Sequence, residues 1–199
     1  MKHRLSVLGL LSILGVLMLV GCGETAPQAP EGWLTYVNET HGYSFYYPPD
    51  CHFGPMPSYC KQSPPQERPP ECLCFLDTQD PNQVTLQKLT VEGDNITAGM
   101  FEISCHDTPA YNPPSGTDVT EWVKRHWLEM HADIPDEPNM ELGGVPAVKV
   151  DDAGGAMAPA AETIYLIRND KLLRIHMLEA ENENNRELYD QLISGFAFK

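Results

Sequence analysis

The sequence predicts an α+β domain whose framework is an antiparallel β-sheet, and three patterns predict it. Several short runs are rich in aromatic and β-branched residues or alternate apolar with polar, the period of a half-buried strand. Clusters of Asn, Asp and Gly separate neighbouring runs, which is the chemistry of tight turns. Two further stretches repeat apolar residues at helical spacing behind capping signals.

Taken in order, Trp33-Leu34-Thr35-Tyr36-Val37 and Tyr43-Ser44-Phe45-Tyr46-Tyr47 make a first hairpin across residues 38–42. Pro48-Pro49 ends it, since proline cannot donate to a strand ladder. Residues 48–70 carry eight prolines in 23 positions together with Cys51 and Cys60, without helical or strand periodicity. A Cys/Pro-rich irregular insertion over about residues 48–74 is expected, stapled by its cysteines because unstructured loops of that length are uncommon inside a domain.

Strands follow over Val84 to Val91 and Met100 to Cys105, joined across Glu92-Gly93-Asp94-Asn95. After a Pro/Gly-rich loop from Thr108 to Gly116, Asp118 stands three residues before Glu121 and starts a helix. Its apolar stripe is Val119, Trp122, Val123, Trp127 and Met130, and it ends by Pro135. Val145 to Val150 is a strand. Glu162 to Arg168 and Leu172 to Leu178 form a second hairpin across Asn169-Asp170-Lys171. Asn184 with Glu187 caps a closing helix with Leu188, Leu192 and Ile193 inward, Gly195 stops it, and Phe196-Ala197-Phe198 is a terminal strand.

The N-terminal end carries a different signal. Lys2 and Arg4 precede an apolar run from Leu5 to Val20, the charge pattern of a signal peptide, and the run is shorter than the roughly 20 residues of a permanent membrane helix. Leu19-Val20-Gly21-Cys22 resembles the lipobox of bacterial lipoproteins. That resemblance implies removal of residues 1–21 and lipid on Cys22, with residues 22–32 as a small, polar flexible tether and 33–199 as one domain. One acyl chain attaches only marginally, whereas two or more hold stably.

Losing the leader takes the net charge from −15 to −17, because Lys2 and Arg4 leave and no acidic residue does. A surface so acidic is repelled by nucleic acid and by anionic head groups, so no nucleic-acid partner is expected and the lipid must supply the attachment. Five cysteines remain: Cys51, Cys60, Cys72, Cys74 and Cys105. In an oxidising compartment one or two disulfides are expected with a thiol left over, and spacing alone leaves the pairing open.

Several stretches resemble the PsbP-like family, which includes a lumenal photosystem II subunit and many bacterial lipoproteins. The similar stretches are Trp33 to Asn38, Gly42 to Pro48, Gly144-Val145-Pro146-Ala147, the Tyr165 to Ile175 hairpin, and Tyr189 to Phe198. The likeness covers roughly residues 33–49 and 118–199 and departs from the pattern over 50–117. It implies an antiparallel sheet flanked by helices on both faces, an α/β/α sandwich, and a non-enzymatic role. Fold-level analogy does not carry over a photosynthetic function.

The residues themselves offer no catalytic constellation: GxSxG, HExxH, P-loop and GxGxxG patterns are missing, and Cys72-Leu73-Cys74 is not a CxxC redox pair. Cys51-His52, Cys60, Cys72, Cys74 and Cys105-His106 are candidate soft-metal ligands, though their spacing matches no common zinc signature and disulfides explain the same cysteines. His126 and His131 on the helix are expected to be partly buried structural residues, and Trp122 and Trp127 core rather than cleft. Asp151-Asp152, Asp133, Asp136, Glu137 and the run Glu179 to Glu187 lack the ordered spacing of a calcium loop. The expectation is therefore a non-enzymatic envelope lipoprotein that takes no cofactor and binds or supports another envelope protein. The alternative is a metal- or small-ligand-binding lipoprotein using the cysteine-containing insertion.

Overall fold

The structure, a computed structural model, describes residues 29–106, 112–127, 133–152 and 159–199, and in the helix at 119–127 the side chain of Trp127 lies outside that description. The leader, Cys22, most of the tether, Met130 and His131 therefore fall outside the described residues. The α+β class holds: the described residues form eleven strands and three α-helices, with two short 3-10 turns at Pro65–Glu67 and Pro70–Cys72.

Aromatic alternation builds the first hairpin, β1 (Leu34–Asn38) against β2 (Tyr43–Tyr47), in which Tyr43, Phe45 and Tyr47 turn inward. β11 (Ala197–Phe198) pairs with β2 and completes a three-stranded sheet of order β1-β2-β11. The second sheet has eight strands, of order β3-β4-β5-β6-β10-β9-β8-β7. They are β3 (His52–Phe53), β4 (Cys74–Asp80), β5 (Gln83–Glu92), β6 (Asn95–His106), β7 (Met140–Leu142), β8 (Val145–Asp152), β9 (Ala161–Arg168) and β10 (Lys171–Leu178). All neighbours are antiparallel except β3 and β4, which run parallel. The β9–β10 turn places Asn169 and Asp170 at φ 52° and 59°, the left-handed pair that a two-residue hairpin turn demands and that Asn and Asp tolerate best.

Strand period divides the large sheet into two faces. One face buries Leu76, Leu86, Phe101, Ile103, Ile164, Leu166, Leu173 and Ile175 against the inward rings of the small sheet and against Leu188, Tyr189 and Leu192 of α3 (Glu183–Ser194). The other buries Val148, Val150, Tyr165 and Leu172 under Val119, Trp122 and Val123 of α2 (Val119–Trp127). At its far end Phe75 of β4 is covered by Cys60 and Cys72.

Three expectations are corrected. The anticipated single sheet is two sheets, because the N-terminal hairpin and the C-terminal strand associate with each other on top of the long strands rather than joining their edge. Residues 48–74 are not irregular throughout: they hold β3, a short helix α1 (Ser58–Gln62) and the two 3-10 turns. The cap of α3 is Asn182, whose side-chain oxygen accepts from the backbone nitrogens of Asn184 and Asn185 at 3.0 and 3.4 Å; Asn184 is inside the first turn. At the start of α2, Asp118 accepts from Glu121 N at 3.0 Å, as its spacing implies.

Two glycines let α3 and its exit approach the sheets. A Cβ on Gly195 would collide with the Tyr46 ring, and one on Gly99 would stand 2.5 Å from Asn185 Oδ1 and 3.2 Å from the Tyr189 hydroxyl. That hydroxyl accepts from Met100 N at 2.8 Å and donates to Leu178 O at 2.5 Å, pinning α3 across β6 and β10. Gly99→Ala is accordingly expected to cost about 1–3 kcal/mol of stability through overpacking. Urea denaturation reads it, and a loss below about 0.5 kcal/mol would contradict the close approach.

Candidate functional site

The insertion is fixed to the sheet by two disulfides, Cys51–Cys74 and Cys60–Cys72. Cys74 opens β4 and Cys51 immediately precedes β3, so the first bond lies at the base of the parallel β3–β4 pair and joins the main core. The second bond holds α1 over Phe75 on the opposite face of β4. Their sequence separations are 23 and 12 residues. Loops of that size are each worth about 3 kcal/mol in the chain-entropy account, less where nested loops share the same constraint. Cys105 belongs to neither bond and is buried.

These bonds rearrange the candidate metal ligands. Four of the five cysteines are consumed as cystines, and Cys72 and Cys74, though only two residues apart, serve different bonds. Cys105 packs in the main core, while strand alternation places His106 on the other side of the sheet. His52 sets its ring against Phe75 at 6.0 Å. Among the described residues, no group of three or more His, Cys, Asp or Glu side chains gathers as a metal would require.

The most distinctive surface lies between α2 and the stapled insertion. Both rise from the same face of the large sheet, α2 over β8 and β9 and the insertion over β4, and between them β5, β6 and β10 present a polar floor. Gln83, Thr85 and Gln87 alternate along β5, Glu102 and Ser104 along β6, and Arg174 and His176 along β10. Glu102 accepts from Gln83 Nε2 at 2.8 Å and from Ser104 Oγ at 3.0 Å, with the Arg174 guanidinium 3.7 Å away. His176 Nδ1 is 2.8 Å from Thr163 Oγ1. Burial, with Arg174 adding to it, pushes the His106 imidazole down, so it is neutral at pH 7. The floor is thus polar and nearly charge-balanced, with Gln83 and Ser104 hydrogen-bonded to Glu102, on a molecule that is otherwise strongly acidic.

Other candidates resolve into structural bonds. Trp122 is core, and His126 stacks on it at 4.0 Å with Nδ1 2.9 Å from Trp122 O; its imidazole is more exposed than expected of a partly buried residue. Asp136 pairs with Lys124 at 2.6 Å, and that hydrogen bond holds its carboxyl below the usual range. Asp133, Asp151, Asp152, Glu162 and Glu181 line a hollow of about 330 Å³, where Arg186 supplies a cation. Burial alone would raise the Glu162 carboxyl, but hydrogen bonds and charge from Arg186 and Lys149 hold it below its ordinary value. Thr40, His41, Cys105, Arg168 and Lys171 border a smaller cavity of about 130 Å³. There the Arg168 guanidinium is spent on the Gly42 and Lys199 carbonyls and on the Phe198 ring at 4.4 Å.

The polar floor was missed from sequence, although its signal was present. The outward positions of β5, β6 and β10 read as ordinary solvent-facing residues, and only the walls on either side make them a site.

Compared with models of known families, with curated proteins and with solved structures, the chain matches none.

Two outcomes follow. Non-reducing peptide mapping should recover Cys51 linked to Cys74 and Cys60 linked to Cys72, with Cys105 as a thiol; any Cys51–Cys60 or Cys72–Cys74 peptide would contradict the staples. Glu162→Gln should cost about 1–2 kcal/mol at pH 7, the scale of a charge-assisted hydrogen bond discounted for the partly exposed Arg186. Because the folded carboxyl sits below its ordinary value of 4.5, its contribution is present above pH 4.5 and is lost as pH falls through the folded value. The gap between parent and variant stabilities should therefore narrow as the pH is taken below 4.5, and a gap that stays constant down to acid unfolding would contradict the assignment.

Proposed function

We propose that this chain is a lipid-anchored envelope protein, held outside the cytoplasmic membrane by lipid on Cys22, and that its domain is a non-enzymatic accessory module that docks a second envelope protein. The observation that carries the docking role is the polar strip of β5, β6 and β10 walled by α2 and the stapled insertion. A polar floor between two raised elements suits a protein surface, where polar contacts give register and the walls restrict orientation.

The address rests on the leader, the lipobox-like Leu19-Val20-Gly21-Cys22 and the two disulfides, which belong to an oxidising compartment. Among the described residues no helix is long and apolar enough to cross a membrane, so attachment in this reading falls to the lipid. The PsbP-like resemblance supports the same role, with the large sheet as the central layer and α2 and α3 on its two faces. The rival metal-binding reading loses ground because the staples consume the thiolates it needs.

Mass spectrometry of the protein from its native membrane tests the anchor: a chain beginning at Cys22 with added acyl mass is expected, and an unmodified thiol or a retained leader would overturn it. A photo-crosslinking residue at Thr85 or Gln87 tests docking, with Asp94 at an exposed hairpin tip as control. One discrete adduct from the first two positions and none from the third is expected. Equal, diffuse labelling from all three would overturn the docking role.

A further inference from the structure

A hollow of about 230 Å³ opens beside α3, on the face of the large sheet that this helix covers. Its bed is apolar and belongs to the core: Ile164 of β9, Met177 of β10 and the Tyr189 ring of α3 are buried, with Met140 of β7 and Ile193 of α3 half-buried at the sides. One wall is a single stripe of α3, because Arg186, Tyr189, Asp190 and Ile193 recur at helical spacing. The rim is ionic and carries both signs. Glu162, only 7 % exposed, accepts hydrogen bonds from Lys149 at 3.3 Å and from Arg186. Neither cation is used up there: an ammonium has three donors and a guanidinium five, and among the described residues each side chain gives Glu162 alone a hydrogen bond. Asp190, one turn beyond Arg186 on α3, is near enough for its charge to act on Arg186, yet it makes no ion pair among the described residues.

We propose that this hollow binds a free aliphatic α-amino acid, its side chain on the bed of Ile164 and Met177, its carboxylate at Lys149 and Arg186 and its ammonium toward Asp190. An apolar cavity with a few convergent polar groups at its mouth is the ordinary form of a small-molecule site. Volume sets the size of the guest: 230 Å³ is the liquid volume of roughly eight waters, room for a molecule of about nine heavy atoms such as leucine or methionine. Charge sets its head group. Lys149 and Arg186 balance Glu162 and Asp190 at the rim, so an ion of one sign is attracted by one pair and repelled by the other, whereas a zwitterion satisfies both. A plain carboxylic acid leaves Asp190 unmatched, and a plain amine meets Lys149 and Arg186. The thioethers of Met140 and Met177 adapt to aliphatic side chains of differing shape. The hollow and the polar strip are on opposite faces of the large sheet, so the two sites stand or fall separately, and neither the anchor nor the docked partner enters the argument for this one.

Methyl NMR of the full chain with labelled methionine tests it, using L-leucine as the probe. Saturable shifts of the Met140 and Met177 methyl signals are expected, half-complete at about 1 mM leucine or below, while Met56, packed under the insertion, stays unmoved. 4-Methylpentanoate, which lacks the ammonium, and leucine amide, which lacks the carboxylate, should each bind at least about tenfold more weakly. Asp190→Asn should weaken leucine by about the same factor without weakening 4-methylpentanoate. Met140→Trp, which fills the hollow from its half-buried side, should abolish the Met177 shift while circular dichroism shows the fold retained. The absence of a saturable shift with leucine, methionine and valine would overturn the site. Equal binding of leucine and either analogue, or an Asp190→Asn variant that binds leucine like the parent, overturns the amino-acid class. Leucine affinity unchanged in Met140→Trp overturns the location.

Discussion

The structure depends on one strand of the large sheet, β9, that is buried on both sides. From Ala161 to Leu166 of β9, six consecutive residues are buried, so this strand cannot turn either face to water. Ile164 and Leu166 call for cover on one side and Tyr165 on the other, and each fully buried aliphatic or aromatic side chain is worth about 1.5–3 kcal/mol. The two demands are met by separate parts of the chain. α3 and the aromatic three-stranded sheet close one side, and α2 closes the other over β8 and β9. Away from β9 the second demand fades: β5 and β6 carry Gln83, Thr85, Glu102 and Ser104 there, and the sheet remains polar.

The insertion solves a local problem at the far end of that face. β4 brings Phe75 to a position that α2 does not reach, and a Pro-rich segment with few apolar residues has little to bind it there. Covalent bonds replace the missing hydrophobic area. Cys51–Cys74 fixes the base of the segment and Cys60–Cys72 presses it onto Phe75, which is how disulfides serve chains that cannot bury enough surface on their own. The same pinning gives the polar strip its second wall.

Local chemistry made much of this legible. The rings of Tyr43, Phe45 and Tyr47, the Asn169-Asp170 turn and the Asp118 cap each act within a few residues, and each element stands where its pattern implies. β4 was missed because Cys74-Phe75-Leu76 is continuously apolar and then gives way to Asp77-Thr78-Gln79-Asp80, with no alternation to read. The α3 cap was misplaced by two residues because Asn182, Asn184 and Asn185 all offer the same side chain, and only the backbone decides among them. The pairing of the cysteines depends on β3 lying parallel beside β4, a contact that crosses the whole insertion and leaves no trace in spacing. The polar strip was illegible for the same reason, since its walls come from segments far apart in the chain.

Hydrogen exchange on the oxidised and fully reduced protein tests most directly whether the sheet around β9 stands by itself and the disulfides hold only the insertion. The account predicts that reduction releases the amides of residues 51–76 while β6, β9 and β10 keep their protection. Protection lost from β9 and β10 together with the insertion would contradict it.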